Sequence, residues 1–322
     1  MAKHLIIIHG RSTKPPEEEK YRLTMTALLA GLRRANAKAA EAIEQRTVKV
    51  SFVYYGDINN RIIINADPRQ KERMVPINGN WYREPGSYDA DLQRLLDRPT
   101  DQHTEGDYRQ LLSEVRDLRF ADDLVRLASP TLNLFGLNMK ILRRLFPDMA
   151  AYLTSRVIGS EIRQRLQEPL YQAFKADDDV ALVAHSMGAY ISYDVLWKFS
   201  RMSEYKEIHD KKLSLWITIG SPLGEPGIIE NLYDAEEPED GKYPTNILRW
   251  INISAVDDFI AADFTIADDF NEMKRKGLIG DITDIAPIYN FWVDSDGSNP
   301  HKFYGYLNHS VFAEHLNQWV IG

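Results

Sequence analysis

The sequence predicts an α/β fold: a mostly parallel β-sheet with helices on both faces, plus an inserted helical cap. Three observations carry this expectation. Short apolar runs closed by turn residues recur along the chain, and segments of helical periodicity separate them. The runs are continuously apolar rather than alternating, as in strands buried on both faces. Strand-like and helix-like segments alternate, the order that builds parallel βαβ units.

Leu5, Ile6, Ile7 and Ile8 make the first expected strand, stopped by His9 and Gly10. Residues 21–45 read as one helix, because Met25, Leu28, Leu32, Ala35, Ala39 and Ile43 recur at helical steps. Residues 48–55 give a second strand, closed by Gly56 and Asp57. A long helix over 149–174 leads into a third strand at 180–184, and 187–200 follow as a helix with Ile191, Val195 and Phe199 on one stripe. Strands are expected at 213–219, 247–254 and, last, 287–293. Residues 310–320 close the chain as a helix with Phe312, Leu316 and Trp319 facing inward.

Residues 66–146 interrupt this rhythm. They are polar, helical in patches, and broken by Pro76, Pro85, Gly86, Pro99, Pro130 and Gly136. They read as a helical cap inserted into a single domain spanning 1–322. The acidic stretch 233–244 reads as a solvated surface loop.

Composition narrows the function classes. The 322 residues are 44% hydrophobic and 27% charged, enough for a core of ordinary size. Lys and Arg number 39 against 47 Asp and Glu, a net charge of -8, so the chain has no general footprint for nucleic acid. The absence of cysteine excludes disulfides, thiolate catalysis and cysteine-ligated metal. The apolar run at 5–8 is too short for a signal-peptide core, and no stretch approaches the roughly 20 apolar residues that span a bilayer. A cytoplasmic protein is expected. With no phosphate-binding loop, metal-spaced histidine pair or dinucleotide fingerprint, no cofactor or metal is expected either.

The chemistry concentrates in Val183-Ala184-His185-Ser186-Met187-Gly188, between an apolar strand and a helix. That is the setting of a nucleophile elbow, a sharp turn lifting a serine from the C-terminal edge of a sheet. Small residues two before and two after the serine relieve crowding; here they are Ala184 and Gly188, with alanine where glycine is usual. The Met187 amide, at the helix start, can face a developing oxyanion. His9-Gly10-Arg11 ends the first strand, where a loop can donate the second oxyanion amide, that of Arg11.

A serine nucleophile needs a base, and the base an orienting acid. Asp257 and Asp258 both follow the strand at 247–254; Asp258 is favoured by the apolar Phe259-Ile260-Ala261 behind it, with Asp257 as alternate. After the last strand come His301 and His309. Asn308 looks like an N-cap, which puts His309 in the first turn of the closing helix and leaves His301 in the loop. His301 is favoured, with His309 as alternate. Gly220-Ser221-Pro222-Leu223-Gly224 reads as a turn and pocket wall, and His185 as packing beneath the elbow.

Together these segments resemble the α/β-hydrolase superfamily on its lipase and esterase side, and more narrowly a group of largely uncharacterised bacterial α/β-hydrolases. The matching pieces begin with Ile8-His9-Gly10-Arg11, Phe52-Val53-Tyr54-Tyr55-Gly56-Asp57 and the elbow. They continue with Ile219-Gly220-Ser221-Pro222-Leu223-Gly224, Trp250 with Asn252, Asp258-Phe259-Ile260-Ala261, and His301 before Gly305-Tyr306-Leu307. The resemblance implies Ser186, Asp258 and His301 as a triad, the Arg11 and Met187 amides as oxyanion hole, ester, thioester or lipid-like acyl substrates, and no cofactor. The alternative is a catalytically silent hydrolase-like scaffold that binds a ligand or protein partner. Residues 132–146, apolar with Lys140, Arg143 and Arg144, read first as a cap helix packed on the core, with a mobile lid or a peripheral membrane contact as the alternative.

Overall fold

Leu5, Ile6, Ile7 and Ile8 are all fully buried, which a strand achieves only when both faces of its sheet are covered. In the computed structural model, which describes residues 1–99, 102–115, 139–233, 235–261 and 263–322, they lie in β1 (Lys3–Ile8). Around it run β2 (Val48–Val53), β5 (Asp179–His185), β6 (Leu215–Ile219), β7 (Arg249–Ala255) and β8 (Asp281–Ile288). These six strands form one parallel sheet in the order β2-β1-β5-β6-β7-β8. The intervening β3 (Met74–Ile77) and β4 (Asn80–Arg83) pair only with each other.

Alternate residues of each strand feed two cores. Ile6, Ile8, Leu182, Ala184, Trp216 and Trp250 pack with the helices Arg156–Lys175 and Met187–Arg201. Leu5, Ile7, Val183, Ile217 and Ile251 pack with Glu17–Ala35, Ala37–Glu44 and Ser310–Ile321. The chain leaves β1 toward β2 on one side, then returns to β5 on the other. The carboxyl ends of β1 and β5 therefore flank a topological switch point, where open α/β sheets form their ligand crevice. His9-Gly10-Arg11 and Ser186 follow those two ends directly.

Local differences from the sequence reading have physical causes. The helix expected over 21–45 is two helices, because the extended Asn36 breaks it and its side chain accepts the Lys38 amide at 3.1 Å. The one expected over 149–174 is likewise Pro147–Thr154 and Arg156–Lys175, with Ser155 capping the second. The last strand of the parallel sheet is 281–288, not 287–293; only a two-residue antiparallel pair, Val293–Asp294 with Gly297–Ser298, follows it. As an edge strand β8 shows solvent one face and mixes polar with apolar residues, so a search for continuous apolar runs passes over it. Edge position also explains how it tolerates Pro287.

The region 66–146 is not purely helical: β3 and β4 form an antiparallel hairpin turned by Asn78 and Gly79, both at positive φ (49° and 81°). Asn-Gly is the preferred pair for such a tight turn. Of the segment 132–146, residues 132–138 lie outside the described residues; Leu142 and Phe146, at its end, are buried in the core. Among the described residues no helix is long and apolar enough to cross a membrane.

Candidate active site

Ser186 joins β5 to the helix Met187–Arg201 with φ 54° and ψ −123°. A side-chain-bearing residue in that region costs about 1–3 kcal/mol and persists only where its surroundings enforce it. Here its amide donates to the Ile219 carbonyl at 3.1 Å, and the helix begins at the next residue. Gly188 allows the turn to press against the end of β1: a Cβ there would stand 2.8 Å from the His9 carbonyl oxygen. Ala184 is fully buried within β5, between Ile8 of β1 and Thr218 of β6, and its methyl group fits.

The turn directs the serine hydroxyl at a histidine. His301 Nε2 lies 2.8 Å from Ser186 Oγ, and His301 Nδ1 lies 2.8 and 2.9 Å from the two Asp258 carboxylate oxygens. Ser186 is fully buried, Asp258 and His301 nearly so. A carboxylate at Nδ1 keeps the proton there and leaves Nε2 to accept from the serine O–H. Asp258 comes from the turn after β7, and His301 from the loop between β8 and the helix Phe303–Asn308.

Asp258 is held ionised by more than the imidazole. Tyr306 donates its hydroxyl to Oδ2 at 2.6 Å, and the Ile260 and Ala261 amides donate to Oδ1 at 3.1 and 3.3 Å. Burial pushes this carboxyl up, but His301, Tyr306 and the Ala261 amide outweigh it and hold it below the usual carboxylate value. The Tyr306 contact is not visible in the sequence, where a tyrosine in an apolar helix reads as core. With Ser186 as an ester-cleaving nucleophile, as proposed below, Tyr306→Phe is expected to lower kcat about tenfold with little change in KM, the worth of one hydrogen bond to a charged group. Steady-state kinetics against one ester checks it.

No known protein family, curated protein or solved structure matches this chain.

The remaining residues divide into those that support the Ser186–His301–Asp258 chain and those that stand apart. Gly220, just after β6, has φ 54°, and a Cβ on it would come within 3.0 Å of Asp258 Oδ2 and 3.2 Å of His301 Nδ1. The 220–224 loop therefore begins where any side chain would be both strained and crowded. His185 Nε2 donates to the His301 carbonyl at 2.9 Å, and its ring stacks on Phe303 at 4.9 Å. Burial, reinforced by nearby His301, keeps its pKa well below the ordinary value, so it stays a neutral donor that fixes the His301 loop.

The alternates go elsewhere. Asp257 sits at φ 62° in the turn, and His301 bonds its neighbour instead. His309 caps the closing helix itself, accepting the Val311 amide at 3.2 Å, a role expected of Asn308. Burial first, then His103 and Arg34, push His309 down to about 4.

The two expected oxyanion amides are placed beside the serine. Met187 opens the helix directly after Ser186, and Arg11 follows Gly10, whose Cβ, if present, would touch Ser186 Cβ at 2.7 Å. Among the described residues neither amide has a hydrogen-bond acceptor. The Arg11 side chain turns away: its Nε is 3.4 Å from the fully buried Asp148, and its guanidinium lies 4.3 Å from the Phe146 ring centre. Asp148 also accepts the Ser12 and Met149 amides at 2.5 and 3.1 Å, pinning the loop after β1. A cavity of about 200 Å³ borders this site, lined among others by Gly10, Arg11, His185 and His301.

Farther along the same loop, Glu225 is buried beside Asp263. Burial first, then the Asp263 charge, raise its carboxyl from 4.5 to about 7. The folded state thus binds the proton more tightly than the unfolded one, so this group's contribution falls as pH rises from 4.5 to about 7. Glu225→Gln is expected to gain about 3 kcal/mol at pH 8 and almost nothing at pH 4. Urea unfolding at the two pH values measures the difference.

Proposed function

We propose that this protein is a serine hydrolase of the α/β-hydrolase type, cleaving a carboxylic ester, thioester or lipid-like acyl bond through an acyl-enzyme. The observation that carries the reading is the continuous chain Ser186 Oγ–His301 Nε2–Asp258, with 2.8 Å at both of its links. The chain order of the three residues, and their positions at the carboxyl ends of β5 and β7 and after β8, support the α/β-hydrolase assignment.

The chemistry follows from the contacts. His301 takes the serine proton as Ser186 Oγ attacks the carbonyl carbon, and Asp258 stabilises the imidazolium through Nδ1–H. The Met187 and Arg11 amides hold the developing oxyanion. His301 then gives its proton to the leaving alcohol or thiol, and a water activated by the same imidazole releases the acid. Rapid mixing with a short-chain p-nitrophenyl ester tests this. A burst of p-nitrophenol close to one per chain, followed by slower turnover, is expected. A folded protein that hydrolyses no ester or thioester across a chain-length series speaks for the silent scaffold.

A further inference from the structure

The chain carries a net charge of -8, yet the cavity beside His301 is lined by Arg11, Lys14, Lys20, Arg83 and Lys302 and, among the described residues, by no Asp or Glu. We infer that this cavity receives a phosphate group carried by the substrate, an inference that rests on the hydrolase reading for its link to acyl chemistry.

The charge balance leads there. Arg11 has Asp148 at 3.4 Å and Lys302 has Asp294 at 4.0 Å. The other three have no carboxylate within 4.0 Å among the described residues. Lys14 Nζ rests on the carbonyl oxygens of Arg11 and Ser12, and Arg83 Nε donates to Thr13 Oγ1 at 2.9 Å. Lys20, only 3% exposed, places its ammonium 4.0 Å above the Tyr304 ring and 4.6 Å above Phe303.

Rings offset part of the cost of burying an ammonium, but an ion without a counterion stays expensive. Burial, opposed by Asp148 and reinforced by Lys302, Arg11 and Arg83, brings Lys14 down to about 7, so the cavity lining resists its own charge. A carboxylate ligand brings one charge and two acceptor oxygens to donors at three separate positions. A phosphate monoester brings about −1.5 to −2 and three acceptor oxygens, matching donors that approach from separate segments. His301 and Gly10 line the same cavity, which puts the phosphate on the molecule whose carbonyl meets Ser186.

Titration calorimetry of the whole protein with inorganic phosphate, and separately with acetate, tests the inference at low ionic strength. One phosphate per chain is expected, at least tenfold tighter than acetate, and weakened at least tenfold in both Lys20→Met and Arg83→Gln. Arg83 is half-buried on the hairpin, so its variant keeps the test valid if the Lys20 variant fails to fold. No saturable phosphate binding, equal affinity for acetate, or binding indifferent to Arg83→Gln overturns the inference. A neutral fluorophosphonate applied to the wild type separates it from the hydrolase reading. Labelling of Ser186 without phosphate binding overturns the phosphate site alone; phosphate binding without labelling overturns the hydrolase reading and, with it, the substrate role of the site.

Discussion

Replacing Ser186 by alanine is expected to lower ester turnover by about 10⁴-fold or more, to the residual rate that binding and oxyanion donors supply alone. The substitution removes one oxygen from a fully buried position and leaves the backbone at φ 54°, where alanine is strained as serine is. Fold and cavity are therefore retained, and the loss reports on chemistry. KM is expected to rise toward the substrate dissociation constant, because a variant that accumulates no acyl-enzyme loses the lowering of KM that slow deacylation brings. Turnover of a p-nitrophenyl ester by matched preparations, with unfolding midpoints as control, measures it. An undiminished rate removes Ser186 from the mechanism.

Asp258→Asn is expected to cost about 10⁴-fold in kcat while leaving the protein folded. The carboxylate accepts the His301 Nδ1 proton at 2.8 Å, and this contact selects the tautomer whose Nε2 is a free base. An amide at the same position can turn its NH₂ toward Nδ1, which moves the ring proton to Nε2 and faces a donor at the serine hydroxyl. Asparagine still offers one oxygen to Tyr306 or to the Ile260 amide, so the buried site is not left wholly unpaired. Nitrogen NMR of the imidazole should show the proton moved to Nε2 in step with the lost rate. Unchanged tautomer and unchanged kcat together would place the orienting group elsewhere.

What could be read from the sequence were features written in contiguous residues. Leu5 to Ile8 signal a strand covered on both faces, and Val183 to Gly188 signal a strand, a tight turn and a helix, because composition and backbone geometry coincide there. The choice of Asp258 over Asp257 had a local basis as well: the Ile260 and Ala261 amides that grip its carboxylate belong to the apolar segment just behind it. What could not be read depends on groups far apart in the chain. Tyr306 reaches Asp258 across 48 positions, His185 reaches the His301 carbonyl across 116, and Asp148 pins the loop at Ser12 across 136. A buried carboxylate, a tyrosine in an apolar helix and a histidine under a turn carry no local mark of their partners. The edge strand β8 was hidden for another reason, since half of its side chains face water and dilute its apolar signal. The Asn78-Gly79 hairpin carries a local mark in its turn pair, but the prolines around it break the apolar pattern of its short strands.

The most direct test of Ser186 as nucleophile is a brief exposure of the folded protein to a neutral fluorophosphonate, followed by intact mass and peptide mapping. One adduct per chain, on Ser186, absent from Ser186→Ala and formed far more slowly in Asp258→Asn, is the expected result. A folded chain that gains no mass, or gains it on another residue, contradicts the assignment.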